Sequence, residues 1–520
     1  MTFLAVSIAV NDLDQLERDL ALARACHAEM VELRLDYLPR PTCELVRQVV
    51  TAARKTAKPI VATCRPVWEG GQFQGDEPER HTLLAQAAKA GANFLDLELR
   101  CLDQQDFDPD ALRVSSSAKV ILSSHDFDAA PADAATLIEN LRRPRPAIAK
   151  LAYKADTINH CFDALDILHN RRGDQPEAIA LAMGEPGLIT RLLAKRLGAF
   201  LTFARLNTGA ECAPGQITLQ QMRKIYRWDA INSLTALCGV IGYPIAHSLS
   251  PAIHNGAFDV TGWNGLYLPL LVPPTYDDFC RFLDGLRERP WLGVRGLSVT
   301  IPHKRHALQY VQKTGGNLEE LAELIGAVNT LAFEPDGTIS GYNTDYAGAL
   351  QAITKTLNIK AEQLRGMHAA VIGAGGVARA IVAALTNAHL NVTIYNRTQE
   401  KARSLAHDFD CKYAPLDDLH GLHADLVVNA TSLGMTPNVD TCPVPPDVLR
   451  PDMIVFDTVY NPRQTLLLRH AQAANARVVD GLSMFVNQAA LQFERFTGQP
   501  APRQHMRQIV EAQFDTQDHA

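Results

Sequence analysis

Over the first 225 residues, short apolar, β-branched runs alternate with longer amphipathic ones. The short runs begin near residues 3 (FLAVSIAV), 30 (MVELRLD), 59 (PIVATCR), 94 (FLDLEL), 119 (KVILSSHDF), 147 (AIAKLAYK), 178 (AIALAMG) and 201 (LTFARL), spaced 23 to 35 residues apart. Between them lie helical patterns such as DLDQLERDLALARAC, ERHTLLAQAAKAG and GLITRLLAKRLG, each closed by Gly, Pro or a polar cluster. Eight strand-helix units in about 225 residues is the count and size of a closed (β/α)8 barrel. An open doubly wound sheet would carry fewer strands and a glycine-rich first turn, which this half lacks.

After Ile225 the pattern changes, and the boundary falls near residues 226–235. HAAVIGAGGVARAIVAAL, from His368, reads as strand, glycine turn and helix. Gly373, Ala374, Gly375 and Gly376 form that turn, which would bring backbone close to a pyrophosphate at the helix N-terminus. The next strand, NVTIYNRT, puts Asn396 about 23 residues after the first glycine, where NAD enzymes carry an acid, with Arg397 and Thr398 following. An acid there repels a 2′-phosphate and arginine pairs with it, so the expected cofactor is NADP(H) rather than NAD(H). LVVNATSLGM, MIVFDTVYNP and ARVVDGLSMF complete an open parallel sheet.

Residues 236–346 carry YPIAHSLSP, GLSVTIPHK, GAVNTL and GYNTD, each joining a strand-like run to a loop. Ser248 and Ser250, with Pro251 starting a helix, are either simple caps or a seat for a carboxylate. Lys304 and Asp345 taken singly are ordinary surface charges; meeting across a cleft they form an acid/base pair. The expected fold class is α/β throughout. It comprises a (β/α)8 barrel over 1–228, an α/β substrate domain over 236–346, which a family resemblance at Gln488 implies is completed by 475–510, and a Rossmann-type NADP domain over 347–474.

Composition narrows the partners. The 520 residues are 47% hydrophobic and 21% charged, and 50 Lys+Arg against 57 Asp+Glu leave a net charge of −7, which argues against nucleic acid or an anionic membrane as the main partner. No apolar run approaches the ~18 residues that span a bilayer, and Phe3 to Val10 lacks the basic flank and cleavage site of a signal peptide. The run is expected to be a strand and the protein cytoplasmic; the pattern leaves the oligomeric state open. Ten scattered cysteines without a C-x-x-C pair signal neither a disulfide framework nor a thiolate zinc site. The close pairs His303/His306 and His420/His423 read as packing or surface histidines, and no metal is expected.

Chemistry in such barrels gathers at the C-terminal ends of the strands. There the second run carries Glu32, Arg34 and Asp36, the third ends at Arg65 before the loop WEGGQFQG, the fifth ends in Ser124-His125-Asp126, and the sixth holds Lys150. A lysine among apolar neighbours, with Arg34 and Arg65 close by, would be disfavoured as an ammonium and suited to act as a Schiff-base nucleophile. The plainer readings are a lysine that snorkels to the rim, a histidine bonded to local backbone, and arginines in structural ion pairs. Together these residues suggest a carboxylate-bearing ketone bound by arginine, captured by lysine, and deprotonated or dehydrated by histidine.

The series ELRLD, TCR followed four residues on by Glu69-Gly-Gly, SHDF, AKLA, GLITR and APGQ resembles, in order and spacing, the class I 3-dehydroquinate dehydratases over essentially residues 1–225. The resemblance implies that Lys150 forms an imine with 3-dehydroquinate, that His125 moves protons and that Glu32 supports it. Ser7, Arg34, Arg65, Glu69, Arg191, Cys212 and Gln216 would bind substrate. Cys212 departs from the Ser or Thr usual before APGQ and is a weaker donor.

In the second half, the four clusters followed by GAGG, NRT, NATSLGM, D-x-V-Y-N-P and F-V-N-Q-A resemble shikimate dehydrogenases over essentially residues 236–505. That resemblance implies a carboxylate site at Ser248 and Ser250, further 3-dehydroshikimate contacts from Thr300, Asn329, Tyr460 and Gln488, and a catalytic pair of Lys304 and Asp345. Gly481 joins the glycine turn and the Asn396-Arg397-Thr398 stretch on the cofactor side. Ser298 where Asn is common, and Leu249 where Lys is common, are small departures. The two halves would catalyse consecutive steps. The alternatives are a quinate/shikimate dehydrogenase preferring NAD, and a decayed pair that binds its ligands without turnover.

Overall fold

The computed structural model describes residues 2–103, 117–206 and 213–517. The eight runs become β1 (Phe3–Ala9), β2 (Met30–Arg34), β3 (Ile60–Thr63), β4 (Phe94–Glu98), β5 (Lys119–Asp126), β6 (Ile148–Lys154), β7 (Glu177–Met183) and β8 (Leu201–Ala204), each starting within one residue of the expected position. Helices alternate with them, several begun by a side-chain cap: Asp12, Thr42 and Asp76 accept from the backbone N–H groups of Gln15, Leu45 and Glu79. The strands pair in parallel in the order β7-β6-β5-β4-β3-β2-β1-β8. The Phe200 N–H, just before β8, donates to Ala178 O of β7 at 2.8 Å, so the sheet returns on itself as a nearly closed barrel.

The strand period of two sorts the barrel interior into levels. Ala5, Met30, Val61, Ile121, Ile148 and Ile179 belong to one apolar cluster. Two residues further along their strands stand Ser7, Glu32, Thr63, Ser123, Lys150 and Leu181, all buried. The same face of most of these strands thus passes from apolar to polar toward its C-terminal end, which puts charge where loops, rather than strands, can admit a ligand.

The second half forms two sheets. One is mixed, with β9 (Ala236–Gly242), β10 (Gly265–Leu271), β11 (Val294–Val299), β12 (Asn317–Leu318), β13 (Thr330–Phe333) and β14 (Ile339–Tyr342) in the order β10-β9-β11-β13-β14-β12. The other is wholly parallel: β15 (His368–Ile372), β16 (Asn391–Asn396), β17 (Lys412–Pro415), β18 (Leu426–Asn429), β19 (Ile454–Asp457) and β20 (Arg477–Val479), ordered β17-β16-β15-β18-β19-β20. Its order reverses between β15 and β18, the place where doubly wound sheets open a ligand crevice. Both faces are buried, Ala369 and Val371 in one cluster and Ala370 and Ile372 in another, which explains the unbroken apolar runs of these strands.

The chain divides into two compact units, Met1–Ala236 with Leu270–Pro273 and Arg281–Arg289, and Leu237–Pro269 with Pro274–Cys280 and Pro290–Ala520. Among the described residues no helix is long and apolar enough to cross a membrane.

Candidate active sites

At the polar end of the barrel, Lys150 Nζ lies 2.7 Å from Asp96 Oδ2, and Arg65 Nη2 lies 3.0 Å from Asp96 Oδ1. Arg65 Nη1 reaches Glu98 Oε1 at 3.0 Å. These side chains come from strands or strand ends whose register sets Lys150 beside Ser123 and, one strand further, Asp96 beside Ile121. Phe203 closes the other side of Lys150, its ring centre 4.9 Å from Nζ. The expectation that arginines dominate the lysine's surroundings is therefore incomplete, because a buried carboxylate holds the amine directly. Burial opposes a charge on Asp96, yet Arg65 and Lys150 overcome it and keep the carboxyl well below its usual range.

His125 Nδ1 lies 2.9 Å from both Glu69 Oε1 and Arg65 Nη1, and the His125 backbone N–H also donates to Glu69 Oε1 at 2.9 Å. Burial, with Arg65 and Lys150 nearby, holds the imidazole well below its usual range and favours its neutral form. Burial pushes Glu69 up to about 8. The expected support of His125 by Glu32 is corrected by this geometry. Glu32 instead accepts from Ser7 Oγ at 2.5 Å and Thr63 Oγ1 at 2.9 Å, and the carboxyl at His125 is Glu69's. Arg34 grips Asp36 with two hydrogen bonds, 2.9 and 2.7 Å, and Asp36 accepts from Gln72 N in the following loop.

A small pocket of about 50 Å³ collects Ser7, Glu32, Arg34, Arg65, His125, Lys150, Arg191 and Gln216 from the expected set. Cys212 lies outside the described residues. Asp96 and Glu98 were missed by the sequence reading. Their signal was present in FLDLEL, where two acids at alternate positions of an apolar strand share one inward face.

In the second unit Lys304 Nζ lies 2.6 Å from Asp345 Oδ2. Lys304 opens the helix Lys304–Lys313 and Asp345 sits in the first turn of the helix Thr344–Leu357. Asn343 accepts from the Asp345 N–H at 3.0 Å and Asn329 Oδ1 from the Thr344 N–H at 2.8 Å, which anchors that turn. A cavity of about 370 Å³ is lined by this pair and by Ser248, Ser250, Thr300, Asn329, Tyr460, Gly481 and Gln488. The helix expected from Pro251 begins one residue earlier, at Ser250, with Pro251 in its first turn, and the Ser250 N–H donates to Ser248 Oγ at 3.3 Å. Tyr460 stacks on Phe485 with ring centres 4.8 Å apart.

Gln492 lines the same cavity and was missed, although it follows Gln488 by one helical turn on the helix Gly481–Thr497. Its Nε2 donates to Asn329 O and Thr330 Oγ1, while its Oε1 accepts from Ser298 Oγ, which in turn accepts from the Tyr267 hydroxyl. Ser298, the residue standing where Asn is common, is thus tied into a buried hydroxyl chain beside the cavity.

The glycine turn passes a space test for a dinucleotide. Gly373 has φ +114°, and a β-carbon there would come within 2.9 Å of Ala430 O. Gly375 and Gly376 have nothing within 4 Å of such an atom, so the N-terminus of the helix Gly376–Asn387 faces open space. Ala374, between them, is half-buried. Asn396 ends β16 with its amide donating to Thr398 O, and Arg397 and Thr398 are exposed beside it. Gly481 meets Val459 O and Thr458 O so closely that a β-carbon would lie 2.5 Å from the first. Of the paired histidines, His303 is buried against Phe279 and His306, while His420 and His423 are exposed.

Residues 4–233 match the Type I 3-dehydroquinase family, 240–331 the shikimate dehydrogenase substrate binding domain, 355–442 the shikimate/quinate 5-dehydrogenase family and 481–511 the shikimate 5′-dehydrogenase C-terminal domain. A chloroplastic bifunctional 3-dehydroquinate dehydratase/shikimate dehydrogenase of Arabidopsis thaliana is 36% identical over 98% of this chain and 84% of its own. The shikimate dehydrogenase (NADP(+)) of Methanothermobacter thermautotrophicus is 39% identical over 52% of this chain and 94% of its own. A crystal structure of a shikimate dehydrogenase in complex with NADP+, 37% identical, covers 55% of this chain and 97% of that one with a TM-score of 0.50.

Proposed function

We propose roles for the residues of both sites from one premise: the chain belongs to the family of bifunctional 3-dehydroquinate dehydratase/shikimate dehydrogenases. The protein dehydrates 3-dehydroquinate to 3-dehydroshikimate in its barrel and reduces 3-dehydroshikimate to shikimate with NADPH in its second unit.

In the barrel, the Lys150 amine attacks the substrate ketone and water leaves, giving an imine. His125 takes a proton from the carbon next to the imine, and the electron pair moves onto the imine nitrogen. The hydroxyl on the following carbon then leaves as water with a proton returned by His125, and hydrolysis frees Lys150. The substrate carboxylate is assigned to Arg191, which lines the pocket and whose planar fork suits two oxygens. Ser7 and Gln216 take hydroxyls. The observation that carries this reading is the convergence of Lys150, Arg65 and His125 on one pocket, with Asp96 holding both Lys150 and Arg65.

In the second unit, Ser248 and Ser250 seat the carboxylate, while Thr300, Asn329, Tyr460 and Gln488 orient the ring. NADPH, when bound, would supply the hydride for the carbonyl carbon. Lys304, paired with Asp345, gives the proton to the carbonyl oxygen. Gly373, Ala374, Gly375 and Gly376 would cradle the pyrophosphate, Gly481 would border the cofactor side, and Asn396, Arg397 and Thr398 would hold the 2′-phosphate. Nine free cysteines among the described residues suit a reducing compartment, and the cytoplasm is the location we favour.

A coupled assay tests both halves. Wild type with 3-dehydroquinate and NADPH oxidises NADPH, Lys150→Ala does so only when given 3-dehydroshikimate, and Lys304→Ala accumulates 3-dehydroshikimate with reduction slowed about 10²- to 10⁴-fold. Equal use of NADH would favour the NAD-preferring alternative. Binding of 3-dehydroquinate with no turnover would favour the ligand sensor.

A further inference from the structure

Arg80 is fully buried, yet it lies outside the lining of the barrel pocket. Its guanidinium donates to Glu98 Oε2 at 2.7 Å, Cys64 O at 3.1 Å, Glu77 Oε2 at 2.6 and 3.0 Å, and Cys101 Sγ at 2.8 Å. Cys64 follows β3, Glu98 ends β4, and Glu77 opens the helix that follows the loop WEGGQFQG. One side chain therefore pins three segments around the barrel mouth. Glu77, His81 and Cys101 bring ligand-type atoms within 4.8 Å of one another, but Arg80 already donates to two of the three, so a cation there would meet a guanidinium.

The chain of charge continues inward. Glu98 Oε1 accepts from Arg65 Nη1, Arg65 Nη2 reaches Asp96 Oδ1, and Asp96 Oδ2 meets Lys150 Nζ. Arg80, Glu98, Arg65, Asp96 and Lys150 alternate in sign, and none is more than 4% exposed. Burial pushes the Glu98 carboxyl up, and Arg65 and Arg80 oppose that push. With one guanidinium gone, Glu98 is a half-compensated buried charge, which relaxes by taking a proton or by moving. Either change loosens Arg65, and with it the carboxylate that holds the lysine.

We propose that Arg80 is a positioning residue for the dehydration: through Glu98 it fixes Arg65, and so fixes Asp96 against Lys150. The proposal rests on the reading of Lys150 as the imine-forming amine.

The test uses the full-length protein and four variants: Arg80→Met, Arg80→Lys, Glu98→Gln and Lys150→Ala. Dehydration is measured as kcat and KM, the imine is trapped by borohydride with 3-dehydroquinate and read by intact mass, and NADPH oxidation with 3-dehydroshikimate reports on the other unit of the same polypeptide. Arg80→Met lowers dehydratase kcat on the order of 100-fold, the loss that follows a ~1 Å misplacement of a catalytic group, while KM changes less than threefold. Trapping slows in parallel, 3-dehydroshikimate reduction is unchanged, and Arg80→Lys recovers most of the loss. If Arg80→Met does not fold, Glu98→Gln carries the test and must lower kcat more than KM. The proposal is overturned if the folded variants among Arg80→Met and Glu98→Gln keep kcat within twofold of wild type, or if their loss follows KM alone. The parent reading fails separately, if wild type gives no trapped adduct or Lys150→Ala still gives one.

Discussion

At the scale of single residues, the barrel site couples a reluctant carboxyl to a reluctant imidazole. Glu69 is pushed up to about 8 by burial, so near neutrality the folded protein keeps a proton there that the unfolded chain releases above about 4.5. The native state binds more protons across that interval, and linkage makes stability fall as pH rises from about 5 to 8. Glu69→Gln should flatten this fall, checked by comparing thermal midpoints of wild type and variant at pH 5.5 and 7.5; an unchanged slope would contradict the assignment. On the cofactor side, Arg397 is exposed beside the end of β16. Losing a charge-assisted contact worth about 1.5–3 kcal/mol, Arg397→Ala should raise KM for NADPH about 10- to 100-fold and leave KM for NADH nearly unchanged in steady-state assays.

At the scale of elements, the turn between β15 and its helix separates two demands that glycine meets for different reasons. Gly373 is needed by the fold, since its φ is +114° and a methyl would press on Ala430 O. Gly373→Ala should cost about 1–3 kcal/mol, measurable as a lowered thermal midpoint. Gly375 has open space around it, so Gly375→Ala should melt like wild type yet bind NADPH more weakly by titration, because the methyl would enter the space proposed for the pyrophosphate. Strand starts were legible to within a residue because alternation and turn residues are local signals. Helix length was less so. GLITRLLAKRLG is helical only over Leu188–Leu193, and the Lys195 and Arg196 side chains then donate to Trp228 O and Thr235 O, contacts that no local pattern encodes.

At the scale of the whole molecule, every residue lining the barrel pocket belongs to the first compact unit and every residue lining the larger cavity to the second. Each site should then work without its neighbour's chemistry. A mixture of the Lys150→Ala and Lys304→Ala proteins should convert 3-dehydroquinate to shikimate after a lag while free 3-dehydroshikimate accumulates, followed by NADPH absorbance. Failure of the mixture, with each single activity intact, would contradict this independence.

The sequence by itself determined the eight barrel strands, the glycine turn and most of the residues that line the two pockets, because periodicity, capping and motif spacing act over a few residues. Only the tertiary structure decided which charges meet. Glu69 rather than Glu32 reaches His125, Asp96 holds Lys150, Gln492 joins Ser298 to Asn329, and Arg80 anchors Glu98. Except for Arg80 and Glu98, 18 residues apart, the members of these pairs are separated by more than 50 residues; strand register in the barrel brings Asp96 to Lys150, and the helix Gly481–Thr497 brings Gln492 to Ser298 and Asn329. A carboxylate reads the same in the sequence wherever it points; its partner, its burial and its proton are fixed only when neighbouring strands set it opposite a guanidinium, an amine or an imidazole.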